Sequence, residues 1–267
     1  MPRKPAVSGQ FYPSDGKTLV RQLDAFLGQV DGQEEAVGVV SPHAGYLYSG
    51  AIAGAVFARV TVPDEVVVLG PNHHGLGYPG AVYSRGTWET PLGPVAVAED
   101  LADAVLASCP MLAADTLAHR SEHSLEVQLP FIQRRNPAAR ILPICLAHWP
   151  LAELVDLGRR LGQSLASRQP RPLIVASSDM THYEPGEIAR EKDRLAIERI
   201  LALDAEGLYR VVREHRITMC GVMPTVVLLA AAGELGATRA ELVRYGNSGE
   251  VTGDQSEVVG YAGIVVR

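Results

Sequence analysis

Glu65-Val66-Val67-Val68-Leu69-Gly70-Pro71-Asn72-His73-His74 is an apolar, β-branched run that stops at Gly-Pro and releases two adjacent histidines. Its apolar residues are continuous rather than alternating, so the run predicts a strand covered on both faces, as in a parallel sheet flanked by helices. Open α/β sheets bind ligands in the crevice beyond the carboxyl ends of their strands, where Asn72, His73 and His74 then lie. Two further apolar runs end in the same way. Val37 to Ser41 leads into Pro42-His43, and Leu173 to Ser177 leads into Ser178-Asp179-Met180-Thr181-His182. Three strands therefore bring histidines toward one edge.

The rest of the chain fits an α/β alternation. Ser14 or Asp15 caps a helix with Leu19, Leu23, Phe26, Leu27 and Val30 on its apolar face, and a small-residue helix with Ile52, Val56 and Val60 follows His43. Residues 75–98, rich in Gly and Pro, read as irregular chain or a hairpin folded over a site. Helices are predicted over 99–108, from about 118 with Leu125, Leu129 and Ile132 on one face, and over 151–166, 187–202, 204–214 and 224–235. Strands are predicted over 139–146, 241–245 and 257–266. No linker composition or internal repeat divides the 267 residues, which predicts one domain over 1–267.

Composition narrows the function classes. Hydrophobic residues make up 47% of the chain, enough for a sizeable core, and the formal net charge is -6. With no Lys/Arg cluster beyond short pairs such as Arg134-Arg135, nucleic acid and anionic membrane are poor partners. The longest apolar run, Val226 to Ala232, is too short to span a bilayer, and Met1-Pro2-Arg3-Lys4-Pro5 is not followed by the apolar stretch of a secretory signal. Three cysteines without close pairing argue against a disulfide framework and for a cytoplasmic setting.

The candidate chemistry lies in a few side chains. His43, His73 and His182 each follow a predicted strand, while His119, His148 and His215 read as structural. His123 sits between Glu122 and Glu126, three residues from the latter and so on the same side of the predicted helix, which suits a pocket role or a hydrogen-bond network equally. Cys220 precedes a helix start, where the positive end of the helix dipole favours thiolate, whereas Cys109 and Cys145 read as core residues. Two imidazoles and a thiolate on separate elements suit a divalent transition metal with open positions. A metal-free cysteine hydrolase, with Cys220 activated by a histidine, stays open on these residues alone.

Five motifs in order, Pro42-His43-Ala44-Gly45-Tyr46, Leu69-Gly70-Pro71-Asn72-His73-His74, Glu122-His123-Ser124-Leu125-Glu126 with Leu129-Pro130, Ser177-Ser178-Asp179 with His182, and Met219-Cys220-Gly221, resemble the Memo family. Its bacterial and archaeal members are called AmmeMemoRadiSam system protein B. The resemblance implies a three-layer α/β/α fold with a central mixed sheet, similar to the catalytic subunit of class III extradiol dioxygenases. It further implies His43 and His73 as metal ligands, Cys220 in the third-ligand place, and His182 as the acid/base histidine accompanied by Asp179; His123, from its own setting between carboxylates, is counted with these two as a catalytic candidate. Thiolate in place of the dioxygenase carboxylate softens the site, so copper and zinc stand beside iron(II). Two functions follow: a metal-dependent oxidoreductase, or a non-enzymatic metal-binding, redox or peptide-binding protein. The expected partners are a small-molecule or peptide ligand in a strand-end pocket and, from the family's name, radical-SAM and AMMECR-type proteins.

Overall fold

The computed structural model describes residues 2–29 and 32–267. Val30, expected on the first helix's apolar face, lies outside the described residues. Eleven strands are found among the described residues: β1 (Gly38–Ser41), β2 (Glu65–Pro71), β3 (Gly80–Val82), β4 (Thr87–Thr90), β5 (Gly93–Ala96), β6 (Ala113–Ala114), β7 (Arg140–Leu146), β8 (Leu173–Ser177), β9 (His182–Glu184), β10 (Ala240–Asn247) and β11 (Val258–Val266). The helices are α1 (Gly16–Leu27), α2 (Tyr46–Arg59), α3 (Glu99–Ser108), α4 (Leu129–Arg135), α5 (Leu151–Leu165), α6 (Gly186–Leu201), α7 (Ala205–Glu214), α8 (Val222–Glu234) and the single turn α9 (Gly249–Thr252).

The main sheet runs β10-β11-β1-β8-β2-β7-β3-β6, with β9 added against β11. Its centre is parallel: β1 pairs with β8, β8 with β2, and β2 with β7. The flanks are antiparallel where β11 meets β1 and β10, and where β3 meets β7, so the sheet is mixed. Helices cover both faces, which makes the fold three-layer α/β/α.

The continuous apolar runs are explained by two cores. Val67 and Leu69 of β2, Val40 of β1 and Ile174 and Ala176 of β8 face one cluster with Leu101, Leu154, Leu161, Leu208 and Val226. Val66 and Val68, Val39, and Leu173 and Val175 face the other, with Leu19, Leu23, Val56, Phe57 and Phe131. Each buried side chain of this size contributes roughly 1.5–3 kcal/mol, and alternation sends the same strand's residues into both clusters.

Local signals place the helices. Asp15 caps α1 by accepting the Thr18 amide, and Leu19, Leu23 and Leu27 face inward. The sparsely polar α8 is buried on most sides and packs on α5, whose Leu154, Leu157, Leu161 and Leu165 are buried. The predicted hairpin is present as β4–β5, but its partners are Arg3, Lys4, Gln133 and, just past its end, Ile141, none of them a candidate site residue.

The expected helix from residue 118 is the main local departure. Residues 118–125 form turns and bends, a 3₁₀ turn spans Glu126–Gln128, and the α-helix begins only at Leu129 with Pro130 in its first turn. His123 and Glu126 consequently do not share partners.

Candidate functional site

Parallel register sets the site. Ser41 of β1 lies opposite Ser177 of β8, and Leu69 of β2 lies opposite Ala176 of β8. The three chains thus leave the sheet side by side and carry His43, Asp179 and His73 away from one edge.

His43 is 1% exposed. Its amide donates to Asp179 Oδ1 at 2.7 Å, and its Nδ1 lies 2.9 Å from Ser177 Oγ. Ser177 sends its own proton to the Ser124 carbonyl at 2.7 Å and accepts from Gln128 Nε2 at 2.8 Å. The hydroxyl therefore accepts from Nδ1–H, and the His43 lone pair is on Nε2. Burial pushes the His43 pKa down to about 3, with neighbouring His73 adding to the effect, so this ring is neutral.

His73 is set by Glu122, a fully buried carboxylate. Glu122 Oε2 accepts the His73 amide at 2.7 Å, and Oε1 accepts from His73 Nδ1 at 2.8 Å and from the Ser124 amide at 2.9 Å. Burial works against the charge on both partners, but their hydrogen bond and mutual attraction outweigh it. The His73 pKa is raised and the Glu122 carboxyl is held well below the carboxylate range. The Nδ1–H therefore points to the carboxylate, which leaves Nε2 of the neutral ring as the ligand atom.

His123 stacks on His73, ring centroids 4.7 Å apart and planes 18° from parallel, while Phe11 covers it at 4.9 Å. Burial lowers its pKa to about 4, and His43 adds to that effect. Ring nitrogens of His43, His73 and His123 all lie within 4.8 Å of one another.

Cys220 Sγ lies 3.3 Å from His43 Nε2 and 3.3 Å from the Asp179 amide, which donates to it. Gly221 allows this approach, since a Cβ there would collide with the Ser177 carbonyl and Ser178. The expected thiolate preference at a helix start is reversed. Burial and the Asp179 charge push the Cys220 thiol well above its ordinary value. Burial also raises the Asp179 pKa, against the hydrogen bond from the His43 amide.

His182 opens β9. Its amide donates to Thr218 Oγ1 at 2.7 Å, and its Nδ1 meets the Thr218 carbonyl at 3.0 Å. A carbonyl only accepts, so Nδ1 carries the proton and Nε2 is the basic atom. Thr218 is two residues before Cys220, which ties His182 to the same segment. The structure thus gathers His43, His73 and His123 closely, sets Cys220 against His43, joins Asp179 to both, and anchors His182 beside them. His119, read as structural, is buried against Tyr83 and Trp88 and bonds the Ala81 carbonyl.

Glu122, Ser177 and Gln128 orient these rings and were not singled out by sequence. Glu122 and Ser177 stood in the quoted motifs, but without a role of their own: one as a carboxylate beside His123, the other as the last residue of a strand. A cavity of about 620 Å³ opens at the opposite edge of the sheet, near Val37, Asp64, Arg171 and Arg267. Its lining holds no imidazole or thiol.

The donor set fits a transition metal. Two imidazole Nε2 atoms come with their second nitrogens fixed by a carboxylate and a hydroxyl, as metal-bound histidines usually are. A third imidazole and a sulfur stand next to them, a mixture suited to zinc, copper or iron. Among the described residues no helix is long and apolar enough to cross a membrane.

Comparison with known proteins agrees over the full length. The family model described as Memo-like protein matches residues 3–265. A MEMO1 family protein of Methanopyrus kandleri is 41% identical, over 100% of this chain and 99% of the relative. Those of Methanosarcina barkeri and Aquifex aeolicus are 44% and 45% identical, each over at least 98% of both chains. Five motifs in order, a whole-length family match and relatives of nearly equal span establish that this chain belongs to the Memo-like family.

Proposed function

We propose that the protein is a transition-metal protein whose centre is held by His43 and His73 through Nε2, with Cys220 as third ligand and His123 and Asp179 beside it. The observation that carries this reading is the orientation of two histidines by Ser177 and Glu122, which leaves both Nε2 lone pairs free while a third imidazole nitrogen lies within 4.8 Å. Iron(II) is the metal proposed, with copper and zinc as the alternatives that a sulfur ligand favours.

The reaction proposed is an oxidation of a small chelating substrate by dioxygen, which takes up the electrons. The metal when bound supplies Lewis-acid and redox chemistry. His182 holds a basic Nε2 at the same edge and takes or returns the substrate proton. Asp179, which anchors the His43 amide, keeps the first histidine in place. The thiol of Cys220 favours a second reading, a metal-handling protein without turnover, since a soft ligand suits binding of copper as well as catalysis by iron.

Anaerobic purification followed by elemental analysis tests the reading. One equivalent of metal in the wild-type protein, lost in His43→Ala and in His73→Ala with the circular dichroism spectrum retained, is the expected result. Wild-type protein that takes up neither iron(II), copper(I) nor zinc on reconstitution would remove the metal centre.

A further inference from the structure

Residues 118–125 carry Glu122 and His123 yet form neither helix nor strand, so no ladder of backbone bonds fixes where those side chains start. Two carbonyls of this stretch are instead taken by a single side chain from near the start of the sequence. Arg3 donates from Nε to the His119 carbonyl at 2.8 Å and from Nη2 to the Glu122 carbonyl at 2.6 Å. A guanidinium holds its donors in a rigid plane, so the carbonyls it joins are kept at a set spacing.

Arg3 is itself locked. Its Nη1 meets Glu126 Oε2 at 2.6 Å, and its guanidinium carbon lies 4.0 Å from the centre of the Trp88 ring. Arg3 is 5% exposed and Glu126 fully buried. Glu126 also accepts the Ala6 and Val7 amides and the Tyr12 hydroxyl. Every strong acceptor in this box is filled, and an apolar pair of the same volume could serve stability equally well, so the information in the charged pair is geometric. Residues 3–12 then run to the site as a strap, and Phe11 packs on His123.

We propose that Arg3 is a positioning residue for the metal centre. Through the His119 and Glu122 carbonyls it sets where Glu122 meets His73 and where His123 stacks on it. The proposal rests on the metal reading of His43 and His73, but the Glu122–His73 hydrogen bond reports on it without any metal.

The His73 Nδ1 proton, donated to Glu122, should appear as a downfield, slowly exchanging NMR resonance in the wild-type protein. Arg3→Lys keeps a positive charge opposite Glu126 but replaces the planar fork with a point donor. The expected result is an unchanged circular dichroism spectrum, a shifted or broadened His73 resonance, and cobalt(II) bound with altered d–d bands at about tenfold or more weaker affinity. Lys4→Ala, an exposed neighbour paired with Glu89, should match wild type in all three. If Arg3→Lys does not fold, the double variant Arg3→Met/Glu126→Gln leaves no buried charge unpaired and carries the same readouts. A folded Arg3 variant with the wild-type resonance, spectrum and affinity overturns the proposal, and so does failure of both variants to fold, which would make Arg3 purely structural. If wild-type protein binds no cobalt(II), the His73 resonance alone decides the role of Arg3, and the metal reading falls once iron(II), copper(I) and zinc are refused as well.

Discussion

His43 Nε2 and Cys220 Sγ lie 3.3 Å apart although 177 residues separate them in the chain. The contact brings the end of β1 to the turn before α8, and it places a sulfur beside the imidazole nitrogen of His43 that Ser177 leaves with its lone pair. A metal held at His43 Nε2 would have that sulfur available as a further donor beside His73 and His123. Metal binding would then have to remove a proton that burial and Asp179 hold tightly on the thiol, so uptake should release protons and strengthen with rising pH.

Cys220→Ser replaces that sulfur with a hydroxyl that stays protonated near neutrality. The expected outcome is a folded protein with zinc affinity reduced by more than the roughly 10–100-fold typical of an outer-shell change, measured by competition with a chromophoric chelator. Unchanged stoichiometry and affinity would take Cys220 out of the donor set.

Glu122→Gln tests the orienting carboxylate. The side chain keeps its volume, but its amide nitrogen must face either the His73 amide or the Ser124 amide and His73 Nδ1–H, so a buried donor goes unpaired at a cost of about 1–3 kcal/mol. Metal affinity should drop by about 10–100-fold, and the His73 pKa should fall because the attraction that raised it is gone. An NMR titration of His73 that matches wild type would contradict the assignment.

Much of this site was legible because strand ends are local signals. An unbroken run from Val66 to Leu69 announces a strand buried on both faces, and the residues after it must emerge at the sheet edge. The same reasoning placed His43, Asp179 and His182, and the helix lengths followed from apolar spacing and caps such as Asp15. What stayed hidden is long-range or masked by local pattern. Leu125, Leu129 and Ile132 have helical spacing, yet Arg3 and Ser124 bind the carbonyls of His119, Glu122 and Pro71, and those bonds hold the chain before Leu129 out of a helix. Glu122 meets His73 across 49 residues and Arg3 meets Glu126 across 123. No spacing rule encodes such pairings. The dipole argument for a Cys220 thiolate failed for an energetic reason, since desolvation of the half-buried sulfur, together with the Asp179 charge, outweighs a partial charge at one helix end.

Acid stability should report the neutral histidines. His43 and His123 have folded pKa values near 3 and 4, below the unfolded value near 6.5. Between those values the unfolded chain binds more protons, so stability rises with pH across that window and is lost as pH falls from about 6.5 toward 4. At pH 5 each ring should have cost about 2 kcal/mol relative to pH 8. Urea unfolding at the two pH values should show His123→Asn losing correspondingly less than wild type. Equal losses in the two proteins would mean that His123 titrates normally.

The last prediction separates turnover from metal handling and rests on His182. Its Nδ1–H is committed to the Thr218 carbonyl, so only Nε2 can exchange a proton with a ligand. Its ring is anchored to the backbone before Cys220 rather than to His43 or His73, and removing it leaves the contacts of both unchanged. In iron(II)-reconstituted protein supplied with dioxygen and a panel of chelating substrates, His182→Ala should reduce product formation by about 10²–10⁴-fold while bound iron, measured on the same samples, stays at the wild-type level. That split requires proton transfer, because a residue that only shaped the pocket would raise KM and leave kcat largely intact. A panel that yields no product with wild type, together with a His182→Ala variant of altered metal affinity, would instead assign His182 to the metal site and the protein to metal handling without turnover.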